Sequence, residues 1–309
     1  MRFVLPLLIA SLFIACFSSC KQDHKLQHSV TIQHYASGSA LALRGDNIYL
    51  MGDDMNYLLV LDKSLTVIDS ILLEDSVKYK IPKPLKQDIE AATFLKDSDM
   101  LLLLGSGSLA PHRNSGWLVN TLSKEKQEIS LETFYKRITA SEILELNIEG
   151  LTSLNDQLVL SNRGNKGFPY NHLVITAADF FQHQTSALIR TIELENPSTN
   201  FSGVSGLEYS GKHDLLLLSV STEDTYDAHA DGAIGKSYLW IINNFSQKLD
   251  QKKLAPDKII NLTSLGTQFV NQKIESVGIL AEKLKALELV FVADNDSGSS
   301  TLFRVSLAL

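Results

Sequence analysis

The segment 147–165 reads NIEGLTSLNDQLVLSNRGN. Glu149 opens a short run of small and apolar residues, and a second apolar run follows and ends in the polar cluster Asn162, Arg163, Gly164, Asn165. Two β-rich runs of this length in close succession read as a hairpin of strands. The same phrase, a Ser or Glu followed by small or apolar residues, returns as GSALAL at Ser39, DIEAATF at Glu90, VSGLEY at Ser205 and KIESVGIL at Glu275. Each copy is again followed by an apolar run with a polar end: IYLMGDD to Asp54, MLLLLGSGS to Ser108, LLLLSVSTEDT to Thr225 and LVFVADNDSG to Gly298. Self-similarity at such spacing is the signature of a repeat architecture.

Working outward from the hairpin, a third β-rich run appears in every unit: YLLVLD from Tyr57, GWLVNT from Gly116, HLVITA from His172, SYLWII from Ser237 and TLFRVSL from Thr301. A fourth run alternates apolar and polar, as an outer half-exposed strand should, in TVIDSILL, KQEISLE, ALIRTIEL and DKIINLTSL. The fifth unit lacks it. SVTIQHY, residues 29–35, precedes the first unit and alternates in the right way, so it is expected to pair with the last unit and close the ring, which removes the free sheet edges. The expected fold is therefore all-β, a five-bladed β-propeller closed by an N-terminal strand. Six blades is the alternative, if the insertion at 131–146 and the long fourth unit hide another. LETFYKRITASEILEL, residues 131–146, departs from the β pattern; its apolar spacing predicts one or two short helices packed on the outside.

The chain starts with Met1, Arg2 and an apolar run from Phe3 to Phe17, followed by Ser18, Ser19 and Cys20. That run is shorter than the roughly 20 residues that cross a bilayer, and residues 1–19 read as a signal peptide. The arrangement resembles the lipobox of bacterial lipoproteins, with Phe17 where an aliphatic residue is usual. The resemblance implies cleavage before Cys20, lipid on Cys20, and a chain held to the bacterial envelope, with Lys21 leaning toward the outer membrane. Residues 20–28 are polar and unpatterned and read as a tether, leaving 29–309 for the propeller. Cys16 is the only other cysteine, so the mature chain is expected to hold no internal disulfide and to depend on its core. The formal charge of −7 argues against a nucleic-acid partner, which calls for basic patches. A monomer is the expected state.

In a propeller the first strand of each blade lies beside the axis, so Ser39, Glu90, Glu149, Ser205 and Glu275 are expected to form a ring around it. Three carboxylates converging within about 5 Å would repel by roughly 3 kcal/mol per pair at an effective dielectric of about 20. A hard divalent cation relieves this, and calcium accepts carboxylate, hydroxyl and carbonyl oxygens; with no thiolate or imidazole in the ring, zinc and copper do not fit. The alternative is that the glutamates accept hydrogen bonds from inner-strand amides. Glu208 competes with Ser205 as the fourth marker, though its side chain is expected on the other side of the strand. The ring order Ser, Glu, Glu, Ser, Glu resembles the axial calcium site of the five-bladed calcium-activated nucleotidases, the soluble apyrases, and the chain as a whole is similar to uncharacterised bacterial lipoproteins of propeller type and, more distantly, to phytase-like and esterase-like propellers. The apyrase nucleotide-binding segments are not recognised here.

Antiparallel inner strands put the polar ends of the second strands on the same face as the markers. This gathers Asp53, Asp54, Ser106, Ser108, Asn162, Arg163, Glu223, Asp224, Asp294, Asn295 and Asp296 around one mouth, where Arg163 with Arg113, Lys166 and His112 could hold the phosphate or carboxylate of a small anionic ligand. The stretch TEDTYDAHADGAIG, residues 222–235, is expected as a loop over that mouth. No P-loop, HExxH or dinucleotide-binding pattern is present. Two functions follow: a lipid-anchored binding protein with an axial calcium ion, or a calcium-dependent hydrolase of phosphoric esters or anhydrides.

Overall fold

The computed structural model describes residues 24–74, 77–197, 201–223, 226, 234–294 and 298–309. β1 (Lys25–Gln33) is followed by the first blade, β2 (Gly38–Arg44), β3 (Asn47–Gly52), β4 (Tyr57–Asp62) and β5 (Val67–Leu72), and by the second, β6 (Ile89–Phe94), β7 (Met100–Gly105), β8 (Ser115–Asn120) and β9 (Lys126–Ser130). After helix α1 (Glu132–Thr139) the third blade contains β10 (Ile148–Leu154), β11 (Gln157–Asn162), β12 (Asn171–Ala177) and β13 (Arg190–Leu194). The fourth starts with β14 (Gly203–Ser210), β15 (Leu215–Glu223) and β16 (Ile234–Asn243). β17 (Lys253–Leu254) then reaches back to lie parallel to β13, and β18 (Lys258–Asn261) completes the fourth blade. The fifth is β19 (Lys273–Glu282), β20 (Ala286–Asp294) and β21 (Ser299–Ala308), with β1 antiparallel to β21 as its outer strand.

The inner strands β2, β6, β10, β14 and β19 pack in that order, and β19 returns to β2. The protein is thus a five-bladed β-propeller, closed by the N-terminal strand. The long fourth unit adds a fifth strand to the third blade instead of forming a sixth blade. Large apolar clusters fill the spaces between neighbouring blades. Continuous runs such as Leu101–Leu104 and Leu215–Leu218 are buried on both faces, because a blade inside the ring is covered by a neighbour on each side.

One boundary differs from expectation. β1 begins at Lys25, four residues inside the stretch read as tether, because Leu26 packs against the apolar cluster between blades four and five and a bulge between Leu26 and His28 keeps the pairing with β21 in step. The insertion 131–146 forms one helix at the surface, as expected, with Glu132, Thr133 and Lys136 exposed and its apolar face turned in between two blades. Phe134, Tyr135 and Ile138 are buried in the cluster shared by blades two and three, Phe134 packs on Phe180, and the Tyr135 hydroxyl donates to the Gly105 carbonyl at 2.6 Å.

Candidate functional site

In every blade the start of the inner strand pairs with the end of the second: Gly38 with Gly52, Ile89 with Gly105, Ile148 with Asn162, Gly203 with Ser221 and Lys273 with Asp294. Markers and polar strand ends therefore share one face. The ladders also break at one equivalent place, between Gly38 and Ala40, Ile89 and Ala91, Ile148 and Gly150, Val204 and Gly206, and Ile274 and Ser276. The residue left over at each break is Ser39, Glu90, Glu149, Ser205 or Glu275. Each marker is the extra residue of a β-bulge, a device that re-aims a side chain out of the ladder pattern. The residue after it is small in all five blades, since the inner strands approach closely there: a Cβ on Gly206 would lie 2.7 Å from the Glu275 carbonyl oxygen. Glu208, three residues beyond Ser205, is not a marker; its carboxylate accepts from Thr152 Oγ1 of β10 at 3.1 Å.

The five markers do different work. Ser39 donates its hydroxyl proton to the Ile89 carbonyl of the next inner strand at 2.7 Å, and Ser205 does the same to the Ile274 carbonyl at 2.6 Å. Both serines staple adjacent blades just before the following bulge. Glu149 is 8 % exposed and accepts from Asn147 Nδ2 at 2.6 Å. Arg163 Nη1 lies 3.6 Å from Glu149 Oε2 and 4.0 Å from Glu275 Oε2, and Lys273 Nζ lies 3.0 Å from Glu275 Oε1. Gly203 makes this reach possible, because a Cβ there would sit 2.5 Å from Arg163 Nε.

Beside Glu90 stands a second group. Lys86 Nζ pairs with Asp53 Oδ2 and lies 2.6 Å from Asp88 Oδ1, while Arg113 Nη1 lies 2.7 Å from Asp88 Oδ2. Ser106 also donates to Asp88, and Ser108 accepts from Arg113 at 2.7 Å. Asp88 takes a φ of 57°, a left-handed conformation that aspartate, like asparagine, adopts more readily than most residues. One ligand oxygen each from Asp53, Asp88 and Glu90 lies within 4.8 Å of the others.

Burial pushes the Asp53 carboxyl up to about 7, with Lys86 pulling it down and Asp88 and Asp54 adding to the rise. For Asp88 burial also works upward, but Lys86 and Arg113 outweigh it and hold the carboxyl below its ordinary value. Glu90 is raised well above the ordinary range by burial and by repulsion from Asp88, Glu149, Asp53 and Glu275. Glu149 rises to about 7 through burial, with Arg163 opposing and Glu275 adding. Burial pulls the Lys86 ammonium down, but Asp53, Asp88 and Glu90 outweigh it and hold it above its ordinary value.

Not every residue expected at the mouth faces a ligand. Asp53, Asp54 and Asp294 line a cavity of about 210 Å³ together with Ser39, Glu90, Glu275 and Lys80, Lys83, Lys86 and Lys273. Lys80 Nζ lies 2.7 Å from Asp54 Oδ2. Arg113 and Arg163 are buried and turned inward onto carboxylates, because an exposed anion site could not compete with fixed carboxylates at hydrogen-bond distance. His112 lines a groove with Tyr79, Leu85 and Trp117 instead of the mouth cavity, and Lys166 lies over the Tyr226 ring. Cys20, Asp224, Asn295, Asp296, the Glu223 side chain and most of the stretch 222–235 lie outside the described residues. The four lysines and Asp88 were missed by the repeat pattern. Asp88, Asn147 and Lys273 each stand two residues before a marker, and a polar residue at that offset is the signal that could have found them.

A model of a family of unknown function, DUF6929, matches residues 34–307. The chain belongs to this family. The DUF6929 match takes in the first four blades and the three inner strands of the fifth, and leaves out its outer strand β1. No sequence among the curated proteins matches the chain. Among solved structures it is similar to glutaminyl cyclase from Myxococcus xanthus, with a TM-score of 0.55 at 10 % identity, covering 93 % of this chain and 97 % of that one. At that identity the likeness is one of fold. The β-propeller domain of Cps50 (Swd1) from Myceliophteria thermophila aligns with a TM-score of 0.36 at 10 % identity over 86 % of this chain and 67 % of that one.

Proposed function

We propose that this protein is an envelope-anchored binding protein, held by lipid on Cys20, whose channel mouth takes a small ligand carrying a carboxylate or phosphate group. The observation that supports this is the mouth cavity, where Lys80, Lys83, Lys86 and Lys273 line about 210 Å³ alongside Asp53, Asp54, Glu90, Glu275 and Asp294. A ligand anion can take a lysine from one of these acids when the displaced carboxyl takes up a proton, which burial favours for Asp53 and Glu90, and low local dielectric strengthens such a pair.

Calcium is the second reading. It is favoured by the approach of Asp53, Asp88 and Glu90 within 4.8 Å, and the donors are hard oxygens of the kind calcium takes. The fit is partial. Lys86 already bridges Asp53 and Asp88, Arg163 lies between Glu149 and Glu275, and both ring serines donate to carbonyls. A calcium ion would be held by Asp53, Asp88 and Glu90 after Lys86 withdraws, not by the five markers together.

Calorimetry of the mature chain with inorganic phosphate, citrate and glutamate is expected to give saturable binding of at least one, weakened about tenfold in Lys273→Met. No saturation up to roughly 10 mM contradicts the reading. In the same series, calcium that raises the melting temperature, more strongly in Lys86→Met, favours the ion. Turnover of nucleotides, phytate, simple esters or an N-terminal glutaminyl peptide, the last chosen for the glutaminyl cyclase of similar fold, would replace binding by catalysis.

A further inference from the structure

A second cavity, of about 370 Å³, opens beside the third blade and is separate in its chemistry from the lysine-rich mouth. Its walls come from three places. Glu142 and Ile143 follow α1, Phe168 and Tyr170 stand on the β11–β12 loop, and His172 and Glu193 are cross-strand partners on β12 and β13. Phe168 and Tyr170 are exposed aromatics, unusual for a solvated loop unless they cover something. Arg163 contributes to the wall, but its guanidinium is committed at the axis to Glu149 and Glu275. Glu193 is paired with Lys253 at 2.9 Å, and Glu145 accepts from Asn165. Glu142 is exposed and accepts a long hydrogen bond of 3.4 Å from Thr191 Oγ1.

Between these carboxylates lies His172. The residue is 8 % exposed, and its Nδ1 is buried with no hydrogen-bond partner among the described residues. Burial lowers its pKa, against the upward pull of Glu193, Glu142 and a ring hydrogen bond to the Tyr170 backbone. A neutral imidazole nitrogen with no partner, next to carboxylates and two aromatic faces, offers an acceptor, negative charge and π-surface together. An ammonium on an apolar body satisfies all three: the cation over the rings and near the carboxylates, the body against Ile143.

We infer that the cavity bounded by Glu142, Phe168, Tyr170, His172 and Glu193 is a binding site for a small organic amine. It lies beyond the anion site proposed at the mouth and does not depend on it. The probe is phenethylamine, with 3-phenylpropionate as the anion of similar shape, titrated into the full mature chain and followed by calorimetry and by NMR shifts. Saturable binding of the amine and none of the acid is expected. Glu142→Gln should weaken the amine about tenfold, with an unchanged melting temperature because Glu142 is exposed, and Tyr170→Ala should weaken it by a similar factor. Lys273→Met at the mouth should leave it unaltered, which separates this site from the other. Equal binding of amine and acid, no saturation up to roughly 10 mM, or full affinity in both variants overturns the inference.

Discussion

Glu208 shows how a single carboxyl inside this ring sets a pH dependence. Burial raises its pKa from the ordinary 4.5 to about 7, while Thr152 and the Tyr209 amide draw it down. In the unfolded chain the same group ionises near 4.5, so between roughly pH 4.5 and 7 the folded state holds a proton that the unfolded state has lost. Stability must then fall as pH rises through that window. Glu208→Gln removes the dependence and is expected to be about 3 kcal/mol better, relative to the parent, at pH 8 than at pH 4.5; denaturant melts at the two pH values check it, and an equal difference at both would contradict the assignment. Residue identity in the sequence was enough to find Glu90, Glu149 and Glu275 as axial groups. It was not enough to find what neutralises them. Lys86, Asp88 and Lys273 sit in or at the edge of connecting segments, and only the folded ring brings Lys86 to Asp53, some thirty residues earlier in the chain. Arg163 was read as a ligand-facing cation because its turn is polar; the missing Cβ at Gly203, a blade away, is what lets it turn inward instead.

At the scale of elements, the β-bulge is the unit that matters. Alternating and continuous apolar runs made the four strands of each blade legible, and the alternation of 29–35 was sufficient to assign the closing strand. Register was not legible. A bulge adds one residue to one strand, and nothing in composition marks it until the partner residues are known. What the sequence did carry was the small residue after each marker: Ala40, Ala91, Gly150, Gly206 and Ser276. These are small because neighbouring inner strands touch there. In Gly206→Ala the new Cβ would lie 2.7 Å from the Glu275 carbonyl oxygen and 2.8 Å from the Ser276 Cα, both backbone atoms that cannot rotate away. The expected cost is about 2 kcal/mol, measured by urea denaturation; a loss under about 0.5 kcal/mol would show that the inner strands are not packed so tightly. The helical insertion was legible as a helix on the outside, but not the gap between two blades that it covers, since Phe134, Tyr135 and Ile138 have the spacing of any amphipathic face.

Across the whole molecule, ring closure turns five local bulges into one charged centre. No blade alone brings a second axial carboxylate near the first; the ring places Glu90, Glu149 and Glu275 where each raises or feels the others' charge. The sequence predicted this convergence and assigned its relief to a cation from outside. In the fold much of that relief comes from the chain itself, through Arg163, Lys273 and Lys86. The bulges aim these glutamates at a common, desolvated axis. Carbon NMR of glutamate labelled at the side-chain carboxyl, followed from pH 3 to 9 with Glu149→Gln to assign its signal, tests it directly. Two carboxyls that titrate near 7, one of which vanishes in Glu149→Gln while the other belongs to Glu208, with Glu90 also raised well above the ordinary range, are the predicted result. Titration of all the chain's glutamates near the ordinary value of about 4.3 would contradict it.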